Sequence, residues 1–154
     1  MSKELRAGDP APEISLKTDA GEPFRLSSLK GKNVVLYFYP KADTPGCTKE
    51  ACEFRDNSKK FAKANTEIVG VSPDTDAAQA RFKTKFDLPF TLLADKEHEA
   101  AETYGVWKEK SMYGRKYMGV ERTTFVIDQD GTIKKIFPKV KVDGHAEEVL
   151  AALG

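Results

Sequence analysis

Asn33-Val34-Val35-Leu36-Tyr37-Phe38-Tyr39 is a nearly unbroken apolar run closed by Pro40. A strand with one wet face alternates polar and apolar residues. This run does not alternate, so it predicts a strand buried on both faces at the centre of a sheet. After the loop Lys41–Gly46, the stretch from Thr48 to Ala64 contains neither Pro nor Gly. It carries Phe54, Ser58, Phe61 and Ala62 near helical spacing, which predicts a helix.

The pattern continues outward from this unit. Glu67–Ser72 predicts a second strand, ended by Pro73. Thr75 or Asp76 can cap a helix over Ala77–Phe86. Thr91–Ala94 predicts a short third strand and Glu97–Tyr104 a short helix. Thr123–Ile127 and Thr132–Phe137 flank Asp128-Gln129-Asp130-Gly131, an antiparallel hairpin signal. Gly144–Leu153 closes the chain as a helix, and Asp9-Pro10-Ala11-Pro12 and Gly21-Glu22-Pro23 punctuate an N-terminal extension of short extended pieces. The expected fold class is α/β, with a central mixed sheet and helices on both faces, over residues 1–154 as one domain.

The chain has 154 residues, long enough to bury roughly 70% of its unfolded surface without a metal or disulfide. Its 25 basic and 24 acidic side chains give a net charge of +1, which argues against nucleic acid or anionic membrane as the partner of the whole domain. No apolar run approaches the about 20 residues of a membrane span. The opening Met1–Arg6 has no apolar signal region, so a cytoplasmic location is expected. In that setting two cysteines are read first for reactivity rather than for a structural disulfide.

Cys47 falls where the buried strand has ended and the helix begins. The first amides of a helix lack internal partners and the dipole there is positive. Such a position favours the thiolate, the nucleophilic form. Gly46 lets the backbone approach a ligand closely. The Thr44 hydroxyl, near the thiol, can donate to an anion or accept from a bound hydroxyl. Cys52 lies five residues on, where ideal helix geometry separates the two Cα atoms by about 8–9 Å. A disulfide needs less than about 7 Å. Either the thiols never pair, or the first helical turns unwind during a reaction cycle.

The segment Thr44-Pro45-Gly46-Cys47-Thr48, with Pro40 before it and Glu50, Cys52 and Phe54-Arg55-Asp56 after it, resembles the active-site segment of peroxiredoxins of the bacterioferritin-comigratory, or Q, type. Gly70-Val71-Ser72-Pro73-Asp74, Leu88–Leu93, Tyr104-Gly105-Val106-Trp107 and Glu121–Asp128 follow in that family's order. The resemblance implies a thioredoxin-like fold and a thiol-dependent peroxidase acting on hydrogen peroxide and alkyl hydroperoxides. Cys47 matches the peroxidatic cysteine, Thr44 the active-site threonine, Pro40 the proline that shields the pocket and Arg122 the arginine beside the thiolate. Cys52 matches the resolving cysteine, which forms an intramolecular disulfide after local unwinding. The resemblance further implies thioredoxin or glutaredoxin as reductant, a monomer, and no cofactor or metal.

Other chemistries read more weakly. A Cys–His pair makes a hydrolase or transferase, but His98 and His145 are flanked by charges and are expected at solvated helix termini. Cys-x4-Cys has too few companions for structural zinc. Asp128–Gly131 imitates a calcium loop but has Lys139 where the last ligand belongs. A binding module without turnover is the remaining rival. Its acidic partner would meet Lys108, Lys110, Arg115, Lys116 or Lys134, Lys135, Lys139, Lys141, which otherwise read as solvated charge. Trp107, Tyr113 and Tyr117 lie in a Gly-containing segment and either rim a pocket near Cys47 or pack a long loop.

Overall fold

A computed structural model describes residues 4–153. The central run forms β3 (Asn33–Phe38), with every side chain from Val34 onward buried. It pairs in parallel with β4 (Thr66–Ser72), which pairs in parallel with β5 (Thr91–Ala94). On its other side lies antiparallel β8 (Thr123–Ile127), followed by β9 (Ile133–Phe137). The N-terminal extension supplies β1 (Ser15–Thr18) and β2 (Pro23–Arg25), giving the order β2-β1-β5-β4-β3-β8-β9. The expected mixed sheet is therefore present.

The two faces are covered unequally. Val35, Tyr37 and Tyr39 point to a face packed by α1 (Pro45–Asp56), α2 (Ser58–Lys63), α3 (Asp76–Phe86) and α5 (His145–Leu153), through Phe54, Phe61, Phe82 and Val149. Val34, Leu36 and Phe38 point the other way, to Ala100 and Ala101 of short α4 (Glu99–Thr103) and to Tyr104. Period-two alternation along one buried strand thus sorts the core into two layers. Gly70 has a packing reason: a Cβ there would stand 2.9 Å from Tyr37 Cζ and from Leu92 Cδ2.

Four expectations are corrected. The long helix is two, because it breaks at Asn57, whose Nδ2 donates to the Glu53 carbonyl at 2.8 Å. It begins at Pro45, where the ring's fixed φ suits the first helical position. Helix α4 starts at Glu99 rather than Glu97, because the Asp95 carboxylate accepts from the Ala100 and Ala101 amides and His98 adopts φ +49°. The segment read as a loop is a hairpin, β6 (Trp107–Met112) and β7 (Arg115–Val120). Its turn, Tyr113-Gly114, has positive φ at both residues, the geometry whose twist matches paired strands.

Other expectations stand. Thr75 caps α3 through the Ala78 amide. Asp128 is a turn residue, accepting from the Asp130 and Thr132 amides at 2.9 and 3.0 Å, between β8 and β9.

Candidate active site

Open α/β sheets place ligands beyond the carboxyl ends of their parallel strands. β3 ends there at Phe38, and the chain passes through Tyr39 and half-buried Pro40 into the loop before α1. Phe38 pairs with Thr123, so Arg122, one residue earlier on the antiparallel neighbour, arrives at the same end. Sheet register alone thus brings Arg122 to the mouth of α1.

Cys47 lies in the first turn of α1 and is 2% exposed. Arg122 Nη2 donates to Cys47 Sγ at 3.3 Å, and Arg122 Nη1 donates to Glu50 Oε1 at 2.7 Å. The planar guanidinium fork thus holds a sulfur with one prong and a carboxylate with the other, which a lysine cannot imitate. Gly46 makes room for it: a Cβ there would lie 3.2 Å from Arg122 Nη2. Both cysteines are free thiols. Cys52 is half-buried on the same unbroken helix, so the two remain too far apart to bond as α1 stands.

Thr44 is the N-cap residue of α1, but its side chain does not cap. Its hydroxyl donates to the Lys41 carbonyl at 2.8 Å. With that proton committed, the oxygen is left with acceptor capacity and no proton to donate, which fits the accepting role of the two expected. The loop itself is pinned by Asp74, whose Oδ2 accepts from the Ala42 amide at 2.8 Å and from Ser72 Oγ at 2.7 Å. Lys85 holds Asp43 from outside at 2.9 Å.

Two residues matter here for reasons the sequence reading passed over. Asp74 appeared only inside a strand-end motif, and Ser-Pro-Asp after a strand is the kind of signal that marks a loop anchor. Glu50 appeared only as a neighbour of Cys47, and nothing local announces a partner 72 residues away. Glu50 is 1% exposed, with Oε2 unpartnered among the described residues. Burial pushes its carboxyl up to about 7, against the opposing pull of Arg122. Burial also holds the nearby Tyr37 phenol well above its ordinary value.

A raised carboxyl pKa means the native state binds more protons than the unfolded chain between about pH 4.5 and 7. Stability attributable to Glu50 therefore falls as pH rises through that window. Relative to Glu50→Gln, the wild-type folding constant is expected to drop by up to about tenfold per pH unit there. Urea titrations of both proteins at a series of pH values check this, and parallel curves would contradict it.

Among the described residues neither histidine hydrogen-bonds to Cys47. His98 is stacked on Trp107, with centroids 4.1 Å apart and planes within 3°. His145 departs from expectation: it is 2% exposed, not solvated. Its Nε2 meets Thr124 Oγ1 at 2.8 Å and its Nδ1 meets Glu148 Oε1 at 2.9 Å, while Phe54 and Phe137 meet its ring edge-on. Among the described residues no group of three or more His, Cys, Asp or Glu is placed to hold a metal. Of the three loop aromatics, Trp107 packs into the layer opposite Cys47 and Tyr113 is 98% exposed at the hairpin tip. Tyr117 pairs with Lys110 across the hairpin and is 44% exposed.

A thiol under a fixed cation, at the carboxyl edge of a mixed sheet, defines an enzyme that works through a reactive cysteine. Known proteins narrow the class. The AhpC/TSA family pattern matches residues 7–136. Peroxiredoxin Bcp of Bacillus subtilis is 51% identical over 149 residues, spanning 97% of this chain and 95% of that protein. Peroxiredoxin Bcp of Escherichia coli K12 is 45% identical over 146 residues, spanning 95% and 94%. Among solved structures, a mutant of PrxQ from Xylella fastidiosa superposes with TM-score 0.93 at 34% identity, covering 99% of this chain and 97% of that one. The Xanthomonas campestris bacterioferritin comigratory protein, studied for alkyl peroxide reduction, gives TM-score 0.90 at 37% identity over 96% and 97%. The chain belongs to the AhpC/TSA family and, within it, to the peroxiredoxins of the Bcp or Q type, thiol peroxidases with a thioredoxin-like fold.

Proposed function

We propose that the chain, acting as one domain over residues 1–154, reduces hydrogen peroxide and alkyl hydroperoxides with Cys47 as the nucleophile. The observation that carries this is the Arg122 guanidinium donating to a buried Cys47 sulfur at the start of α1. The Cys47 thiolate attacks one peroxide oxygen in line with the O–O bond. The S–O bond forms, the O–O bond breaks, and the departing alkoxide or hydroxide takes a proton to leave as alcohol or water. Arg122 and the first amides of α1 stabilise the charge on that oxygen, while Thr44 accepts from the peroxide hydroxyl and orients it. Pro40, at the end of β3, excludes water from one side.

The resulting Cys47 sulfenic acid condenses with the Cys52 thiol, releasing water and leaving a disulfide. That step needs the first turns of α1 to open. Fully buried Phe54, packed against Tyr37 and Phe61, sets where opening stops, because dragging its ring into water is costly. A dithiol protein, thioredoxin or glutaredoxin, then reduces the disulfide by exchange. We place the enzyme in the cytoplasm, as a monomer. No helix among the described residues is long and apolar enough to cross a membrane. The test is peroxide consumption coupled to thioredoxin, its reductase and NADPH, beside glutaredoxin with glutathione. Turnover with either supports the proposal, and none with either, or with dithiothreitol, overturns it.

A further inference from the structure

The four large apolar side chains most exposed among the described residues, Met112, Tyr113, Tyr117 and Met118, all lie on the β6–β7 hairpin. Strand register sorts the hairpin into two faces. Lys108 with Gly119, Lys110 with Tyr117 and Met112 with Arg115 share one. Trp107 with Val120, Glu109 with Met118 and Ser111 with Lys116 share the other.

The first face is tied to the reaction site through the chain: β7 ends at Val120, Lys108 reaches Glu121, and the next residue, Arg122, donates to Cys47. The Lys110 stem lies across Gly119, where a Cβ would stand 3.4 Å from its Cδ. Its ammonium is pushed down by burial and by the Arg122 charge, and it also feels Cys47. That face carries three cations and no acid. Lys108 pairs with Glu121, just beyond the end of β7, at 3.8 Å. Lys110 and Arg115 have no carboxylate at ion-pair distance among the described residues, whereas Lys116, on the opposite face, is answered by Glu109 at 3.6 Å. A small neutral peroxide has no use for such a surface. A protein that must reach a disulfide beside it does.

We propose that Lys108, Lys110, Met112, Arg115 and Tyr117 form the docking surface for the reducing protein, a dithiol partner whose cysteines are surrounded by carboxylates and apolar side chains. This rests on the peroxidase reading above. Docking sets the partner's thiolate against one sulfur of the Cys47–Cys52 disulfide. That S–S bond breaks, a mixed disulfide forms and the displaced thiolate takes a proton. The partner's second thiol then attacks the mixed disulfide, leaving the partner oxidised and both Cys47 and Cys52 reduced.

The test uses the double variant Lys108→Glu, Arg115→Glu, which leaves Lys110 and Arg122 in place, with Lys116→Glu as the opposite-face comparison. With thioredoxin as reductant, kcat/KM for thioredoxin is expected to fall roughly tenfold or more in the double variant, and wild-type kcat/KM to fall with added salt. Lys116→Glu keeps the wild-type value. Turnover driven by dithiothreitol stays unchanged in all three, which shows that the fold and the peroxide step survive. An unaltered kcat/KM for thioredoxin in the double variant overturns the proposal. So does finding instead that the double substitution splits a dimer or abolishes binding to vesicles of anionic phospholipid, since the face then serves a second copy or a lipid surface. Loss of dithiothreitol turnover in the wild type is a separate result, and it overturns the peroxidase reading itself.

Discussion

Cys47→Ser is expected to lower peroxide consumption by roughly 10⁴-fold or more, because a hydroxyl at that position stays protonated and no other thiol is placed to replace it. Cys52 does not take over. It is half-buried further along α1, and neither prong of Arg122 reaches it. Ser is nearly the same size as Cys, so α1 and its packing through Ala51 and Phe54 should survive unchanged. Stopped-flow mixing with hydrogen peroxide and thermal unfolding together check this. Substantial peroxidase activity in a folded Cys47→Ser protein would reassign the nucleophile. A pure binding module, by contrast, would lose nothing.

Arg122→Gln is the second large effect. Removing one fixed donor from a developing oxyanion typically costs about 10²–10³ in rate. Here the loss is compounded, because the same guanidinium holds Glu50, a carboxyl buried at 1% exposure. Without its cation that group binds a proton over a wider range, and the pH window over which stability falls should extend to higher pH. Double substitution with Glu50→Gln should restore stability without restoring the rate. Rates at saturating reductant, read beside urea titrations, separate the two contributions. A variant losing stability alone would show Arg122 to be a structural ion-pair partner only.

How far the sequence leads depends on where the information lies. The buried strand at Asn33 and the strand-to-helix join at Cys47 are local patterns, legible because apolar runs and Thr-Pro-Gly turns express local physics. The β6–β7 hairpin was not legible for the same reason. Lys108, Glu109, Lys110, Ser111 and Met112 show no apolar alternation, since most of both faces stands in water. Only Tyr113-Gly114 marks the turn, and Tyr at positive φ is an unusual choice.

His145 misled because Gly144, Glu147 and Glu148 suggest a wet helix start, whereas β8 supplies Thr124 and α1 supplies Phe54 to enclose it. The Arg122–Glu50 pair joins elements far apart in the chain through the antiparallel register of β3 and β8, and register is a property of the sheet rather than of either segment. Thr44 sits at the N-cap of α1, Cys47 in its first turn, and Arg122 reaches Cys47 from just before β8.

The central claim is that Cys47 takes the oxygen and Cys52 removes it, with the start of α1 opening between the two events. One equivalent of hydrogen peroxide added to the fully reduced protein, followed by thiol blocking and peptide mass spectrometry, tests it most directly. The account predicts an intramolecular Cys47–Cys52 disulfide in the wild type, and in Cys52→Ser a sulfenic acid trapped at Cys47. Two free, unmodified thiols with the peroxide left unconsumed would contradict it.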